Sequence, residues 1–165
     1  MELENNAAKQ TYIRILTESL TKKINVLDEL LVLSKKQETI LNTAAFDEQE
    51  FMNIVNLKDG FLLQLDKLDQ GFEQIYQSIQ QELMSNKNLY QNEINRMKEL
   101  IVKLTEKSVQ LQALEKRNKT TSEVVFSRKR QEIGQSRMSN RQVTNYYKNM
   151  AEQRETQSFF YDKKK

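Results

Sequence analysis

The decisive stretch is residues 46–83, FDEQEFMNIVNLKDGFLLQLDKLDQGFEQIYQSIQQEL. Its apolar residues recur at alternating intervals of three and four, with Lys58 as the one polar member of the series. The apolar members of this seam are Phe51, Ile54, Phe61, Leu65, Leu68, Phe72, Ile75 and Ile79. Such a heptad spacing predicts an amphipathic α-helix, because no strand satisfies that period. A helix with one apolar seam is not stable alone in water, so the chain must supply partners for it.

The start of this helix is also written in the sequence. Asp47 can accept a hydrogen bond from the backbone N–H of Glu50, whose carboxylate can reach back, which is a capping box. Phe46 and Phe51, just outside and just inside that cap, can form a hydrophobic staple. We therefore expect the helix to begin immediately after Asp47.

Two further seams flank this one. A first helix, from about Gln10, has a near-heptad series of Ile13, Leu16, Leu20, Ile24, Leu27, Leu31 and Leu41, with Ser34 and Glu38 in polar places. Its second apolar set, displaced around the helix, is Val26, Leu30, Leu33 and Ile40. We interpret this wide arc as the face of a helix wedged between two neighbours, the alternative being an exposed groove for a partner helix. A third seam consists of Tyr90, Ile94, Met97, Ile101, Leu104 and Leu111, with Ser108 in the polar slot.

The connections between the seams are short. Residues 42–46, Asn-Thr-Ala-Ala-Phe, separate the first two helices, so we expect those helices to be antiparallel neighbours. The chain contains no proline and three glycines, and it therefore lacks the usual signals of turns and strands. The prediction is an all-α fold, an antiparallel three-helix bundle of long coiled-coil-like helices spanning residues 1–115.

The absent residues limit the chemistry that the chain can perform. Without cysteine or histidine it lacks thiolate nucleophiles, disulfides and the commonest metal ligands, and no glycine-rich phosphate loop is present. We therefore expect no enzymatic activity, no cofactor and no metal. The acidic start carries no secretory signal, and no apolar run approaches the roughly 18 residues of a membrane span. We expect a cytoplasmic protein without stable membrane insertion.

The composition changes at Lys116. Residues 116–165 contain 13 Lys or Arg and 5 Asp or Glu, a net charge of +8, whereas residues 1–115 have a net charge of −5. Disordered segments are normally poor in aromatic residues, whereas residues 116–165 contain several. Aromatic residues are favoured at protein interfaces. We predict a basic C-terminal segment, partly helical or disordered, that binds a partner through Val143, Tyr146, Tyr147, Met150, Phe159 and Phe160. The alternative is that these residues fold back onto the bundle.

The basic residues allow a second interpretation of the segment. Arg128, Lys129 and Arg130 could contact the phosphates of nucleic acid or of anionic lipid. Five acidic residues interrupt the charge, and a solvated face on a mobile segment is the commoner explanation. We therefore expect no nucleic-acid partner.

The layout as a whole resembles a known family. The leucine-rich residues 27–37 (LDELLVLSKKQ) look like the opening helix of FlgN-type flagellar export chaperones, and residues 57–65 (LKDGFLLQL) fit the second. The basic C-terminal segment, with Tyr146 and Tyr147 and the closing residues 159–165 (FFYDKKK), completes a similar arrangement. The resemblance covers nearly the whole chain.

The resemblance implies a small cytoplasmic chaperone of the flagellar type III export system. Such chaperones bind the C-terminal amphipathic region of hook-associated proteins, which form the hook–filament junction, and deliver them to the cytoplasmic domain of the export gate. In the family a C-terminal tyrosine contributes to the gate contact, and Tyr146 and Tyr147 are the two candidate positions for it, with the choice between them open. The alternatives are a self-associating coiled-coil adaptor and a nucleic-acid or membrane-surface binder acting through the basic segment. The oligomeric state stays open.

Overall fold

A computed structural model describes residues 2–133 and 141–153, and the side chains of residues 6–131 and 141–153. Within these ranges the chain forms four helices and no strand, and helix accounts for 92% of the residues. The long helices are α1 (Glu2–Leu41), α2 (Glu48–Ser85) and α3 (Gln91–Ile133). A short fourth helix, α4, spans residues 141–153. The predicted all-α class and the three long helices are confirmed, and α4 is added to them.

The start of α2 follows the sequence prediction. The Asp47 carboxylate accepts a hydrogen bond from the Glu50 backbone N–H at 3.2 Å and caps the helix. The rings of Phe46 and Phe51 lie 5.7 Å apart between centroids, which is the expected staple. The cap satisfies one backbone donor that a helix start would otherwise leave without a partner.

Helix α1 is the element that packs against both other long helices. Across the described residues, no Cα atom of α2 comes within 8 Å of a Cα atom of α3. Because α1 has a neighbour on either side, it needs the wide apolar arc seen in its sequence, and the wedged-helix interpretation is confirmed. The buried residues of this arc are Ile13, Leu16, Leu20, Ile24, Val26, Leu27, Leu30, Leu33 and Leu41.

Polar contacts set the alignment of α1 with its neighbours. Lys23 of α1 donates a hydrogen bond to Asp69 of α2. Gln37, further along α1, accepts one from Lys58, which comes earlier in α2. The α1 residue Asp28 pairs with Lys107 of α3 at 2.5 Å. Since each of these contacts joins two different helices, together they set how far each helix is shifted along the next.

The seam of α2 is buried largely as predicted. Phe51, Ile54, Leu65, Phe72 and Ile79 lie in the core, and Lys58 in the polar position is fully buried. Three further seam residues are only partly buried against that core, namely Phe61, Leu68 and Ile75. The buried face is displaced slightly around the helix toward Val55, Leu62 and Asp69. A straight α-helix drifts against a strict seven-residue repeat in this way.

Helix α3 corrects the expectation that the bundle ends at residue 115. The helix runs through Lys116 without interruption as far as Ile133. Its buried positions also continue at intervals of three and four, through Glu115, Asn118, Ser122 and Phe126. The apolar periodicity fades here because polar side chains occupy the seam. The change of composition at Lys116 is therefore not an end of the packed region.

None of the helices in residues 2–133 and 141–153 combines the length and apolar character that crossing a membrane would require.

Candidate partner-binding site

The predicted partner-binding residues on α4 lie in the core of the protein. Val143, Tyr146, Tyr147 and Met150 are each less than 10% exposed and belong to the main hydrophobic cluster. Their spacing places them on one face of a helix, because positions three and four apart lie on the same side. This burial favours the alternative that these residues fold back onto the bundle. Phe159 and Phe160, the other two predicted residues, lie outside the described part of the chain.

The first wall of the α4 seat is α2. The Lys58 Nζ atom lies 4.3 Å from the centroid of the Tyr146 ring, a cation–π contact. Near the end of α4, the Gln153 side-chain amide donates a hydrogen bond to the Asp66 carboxylate. Between these two contacts lies a cleft of about 480 Å³, lined by Asp59, Leu62, Leu63, Asp66, Asn149 and Glu152.

The second wall of the seat is α3. Glu115 interacts electrostatically with both Tyr146 and Tyr147, and Ser122 also contributes to the surroundings of Tyr147. Helix α4 therefore fills the space between two helices whose backbones do not approach each other. We call this space, between residues 55–66 of α2 and residues 115–126 of α3, the α4 seat.

A group of buried polar side chains forms the floor of the seat. Lys58 Nζ lies 2.5 Å from Glu115 Oε1, joining α2 to α3. Lys58 also donates to Gln37, Ser34 donates to Glu115, and the Asn118 side chain donates to the Ser34 carbonyl oxygen at 2.9 Å. We call these five residues the central polar cluster. It links all three long helices through hydrogen bonds, and it meets α4 through the Tyr146 ring.

Burial dominates the electrostatics of the seat. Desolvation lowers the pKa of Lys58 to about 8 even though the Glu115 carboxylate opposes that change. Burial and the nearby Glu115 raise the pKa of Tyr146 well above its usual value, and the pKa of Tyr147 is raised for the same reasons. Desolvation of this kind disfavours the charged form of a group, which is the deprotonated form of tyrosine and the protonated form of lysine. At neutral pH both tyrosines are therefore neutral and Lys58 is largely a cation.

The hydrogen bonding of the seat is incomplete. Of seven buried side-chain atoms without a hydrogen-bond partner in the described residues, five lie in the central polar cluster or on α4. These five are Gln37 Nε2, Glu115 Oε2, Tyr146 Oη, Tyr147 Oη and Gln153 Oε1. The Tyr146 hydroxyl nonetheless faces the Glu115 carboxylate, and this contact contributes to its raised pKa. Each such atom costs about 1–3 kcal/mol relative to a satisfied one.

Three phenylalanine rings close the same end of the molecule. The Phe126 ring meets Phe46 and Phe51 edge-on, at centroid distances of 5.7 Å and 5.4 Å. Lys129 donates to the Phe46 carbonyl oxygen at 3.1 Å and places its ammonium near the Phe46 ring. These contacts join the start of α2 to the late part of α3, and they explain why Phe126 is buried in a basic stretch of sequence.

Most of the polar residues that matter here cannot be identified from the sequence. Lys58, Ser34 and Ser108 are visible as polar members of apolar seams, but the sequence assigns no partner to them. Glu115 and Asn118 do not stand out singly, although Leu111, Glu115, Asn118 and Ser122 continue the three-four spacing of the third seam. That continued spacing is the signal that could have identified them.

Comparison of the chain with protein-family models, with curated proteins and with solved structures finds no match.

Proposed function

We propose that this protein is a helix-binding export chaperone of the FlgN type. In this proposal it acts in the cytoplasm, binds the C-terminal amphipathic region of a hook-associated protein and delivers that cargo to the cytoplasmic domain of the flagellar export gate. The resemblance of residues 27–37 and 57–65 to that family supports the proposal.

One structural observation carries the binding part of the proposal. A short amphipathic helix, α4, presents two tyrosines and two aliphatic side chains to a seat between α2 and α3. The surface of the bundle thus has the shape and the polarity to hold an amphipathic helix of about four turns. Grooves between helices commonly recognise partners of this kind through side chains spaced three and four apart.

The helix directions support the same class of protein. The partners of α1 on α2 run in reverse order, from Asp69 for Lys23 to Lys58 for Gln37. Tyr146 and Gln153 of α4 meet α2 in ascending order, at Lys58 and Asp66. The contacts of α1 with α3 also ascend together, from Asp28 with Lys107 to Ser34 with Glu115. We infer an up-down-up-down arrangement in which helices consecutive in the chain are antiparallel, the topology that short connections favour.

The predicted binding residues on α4 are buried, so their proposed contact with a partner requires α4 to leave its seat first. Val143, Tyr146, Tyr147 and Met150 contact cargo or the export gate only in a state in which α4 has left its seat. Phe159 and Phe160 remain proposed anchors for the partner. Disengaging a packed helix has a cost, so the free energy of partner contacts must exceed it.

Calorimetric titration of the full chain with the C-terminal region of a hook-associated protein tests the proposal. We expect binding with a dissociation constant of micromolar or lower, and a negative heat-capacity change from burial of apolar surface. Phe159→Ala combined with Phe160→Ala should weaken binding by about 1–2 kcal/mol, as expected for interface anchors. Val109→Ala, at a position 61% exposed on α3, is the control and should leave the affinity unchanged. Absence of binding by the unaltered chain would exclude the proposed function.

A further inference from the structure

We propose that the α4 seat is an exchange site, at which an amphipathic helix of the partner takes the place of α4. The inference rests on the proposed function, because it says where the cargo helix binds. The occupant is a helix with aromatic residues at the positions of Tyr146 and Tyr147 and aliphatic residues at those of Val143 and Met150.

The length of α4 makes exchange accessible. Helix α4 has 13 residues, against 38 to 43 in the three long helices. A helix of that length is only marginally stable in water by itself, so its order depends on contacts with the seat. The three long helices, in contrast, are joined to one another by contacts that do not involve α4, among them Lys23 with Asp69 and Asp28 with Lys107. Displacing α4 therefore leaves those contacts in place.

The buried polar atoms without hydrogen-bond partners also favour exchange of α4. They are concentrated where α4 meets the floor of its seat, at the tyrosine hydroxyls, Gln153 and Glu115. The other three such atoms of the described chain are Gln37 Nε2, Asp69 Oδ2 and Ser108 Oγ. An interface with unmet hydrogen bonds is weaker than its apolar contacts alone would make it.

The chemistry of the seat also defines the charge of the partner. The cleft beside α4 is lined by Asp59 and Asp66 from α2, and α4 itself contributes Glu152 to it. Burial raises the pKa of Asp59, and the nearby Lys58 opposes that change. A partner helix with lysine or arginine at the position of Glu152 would place a cation among these carboxylates. We therefore assign the seat to a helix that is basic on the edge facing α2.

A reversible cross-link tests the exchange in the full chain. The chain contains no cysteine, so the variant with Leu63→Cys and Asn149→Cys has only these two thiols. Both positions are exposed and line the same cleft between α2 and α4, outside the contacts of the tyrosines and Gln153. A bismaleimide with a reducible linker then ties α4 to α2, and reduction releases it. The single variant Leu63→Cys treated with the same reagent controls for the modification.

The first probe is a fluorescein-labelled peptide of residues 141–153 of this chain, followed by anisotropy. We expect it to bind the reduced form at least tenfold more tightly than the cross-linked form. The full chain with Gln153→Ala, which weakens its own α4 contact with Asp66, should bind the peptide more tightly than the unaltered chain does. A peptide with Tyr146→Ala should bind at least tenfold more weakly. Equal binding to the cross-linked and reduced forms would overturn the exchange.

The second probe is the C-terminal region of a hook-associated protein. Binding to the reduced form and not to the cross-linked form would support the exchange. Equal binding to both forms would place the cargo site elsewhere and overturn the exchange, while leaving the proposed function intact. No binding to either form, with the labelled peptide still exchanging, would refute the proposed function alone. A dimer of the chain that the cross-link prevents would assign the seat to a second copy and overturn the partner assignment.

Discussion

Replacing Lys58 with methionine removes the cation at the centre of the bundle and keeps most of the side-chain volume. Lys58 is fully buried and lies 2.5 Å from Glu115, while its ammonium also donates to Gln37 and faces the Tyr146 ring. The substitution leaves the Glu115 carboxylate buried without a cation. We expect a large loss of stability from this single change.

The size of the loss follows from the buried partner. Leaving one member of a buried ion pair without its counterion costs about 3–5 kcal/mol. Loss of the cation–π contact with Tyr146 is included in that range, since such a contact is worth about 0.5–2 kcal/mol. Domains are stabilised by about 5–15 kcal/mol in total, so Lys58→Met should remove a large fraction of it. For a chain of this size we expect a fall in the melting temperature of about 6–20 °C.

The double variant with Lys58→Met and Glu115→Leu separates the charge effect from the packing effect. With both charges gone, the penalty of an unpaired buried carboxylate disappears, and stability should return to within about 1 kcal/mol of the unaltered protein or exceed it. Lys107→Met is the matched control. Lys107 is also 2.5 Å from a carboxylate, that of Asp28, but the pair is partly exposed, so its loss should cost less than about 1 kcal/mol.

Equilibrium unfolding in urea, followed by circular dichroism, measures all three variants. The reasoning is refuted if the double variant is as unstable as Lys58→Met, because the loss would then come from packing of the lysine stem. It is also refuted if Lys58→Met and Lys107→Met are equally mild, because Lys58 would then be accessible to water in solution.

Three further predictions follow from the same contacts. Burial raises the pKa of Tyr146 well above its usual value, so the unfolded chain releases this proton before the native state does. Unfolding free energy should therefore fall as the pH rises above 10, and less so in Tyr146→Phe, as urea unfolding at each pH would show. Leu65→Ala should lower the free energy of unfolding in urea by about 2–5 kcal/mol, because Leu65 is buried. Leu63→Ala, at a position 62% exposed, should lower it by less than about 0.5 kcal/mol. Equal losses would contradict the assigned buried face of α2. Anisotropy titration with single- and double-stranded DNA and RNA at physiological salt should give no submicromolar binding, and a tight, steeply salt-dependent complex would favour the basic-segment alternative.

The long helices could be predicted because their apolar residues repeat at the period of a helix. The pattern needs no knowledge of partners, since any apolar stripe must be covered. The same holds for the staple, where Phe46, Asp47 and Phe51 lie within one turn of each other in the sequence. The wide arc of α1 predicted a neighbour on either side for a comparable reason, since one neighbour would have left part of the arc in water.

The central polar cluster could not be predicted in the same way. Whether Lys58 is buried depends on Glu115, which is far away in the sequence, and no local pattern joins the two. Polar residues in a seam are as compatible with a solvated notch as with a buried pair. The packing of α4 onto the bundle could not be predicted for the same reason, because it depends on residues far away in the sequence. Two turns of amphipathic pattern cannot distinguish a helix that packs on its own bundle from one that waits for a partner.

The position of α1 between α2 and α3 has a consequence for the order in which the molecule assembles. Contacts of α1 with α2 join residues as close in sequence as Gln37 and Lys58, while those with α3 join residues such as Asp28 and Lys107. The shorter loop closes at a lower entropic cost, so we expect the hairpin of α1 and α2 to form first, before synthesis of the chain is complete. Until α3 is synthesised, the part of the α1 apolar arc that packs against α3 is exposed to water. A nascent chain of this protein therefore exposes part of the apolar face of α1 to water while residues 91–133 are being translated.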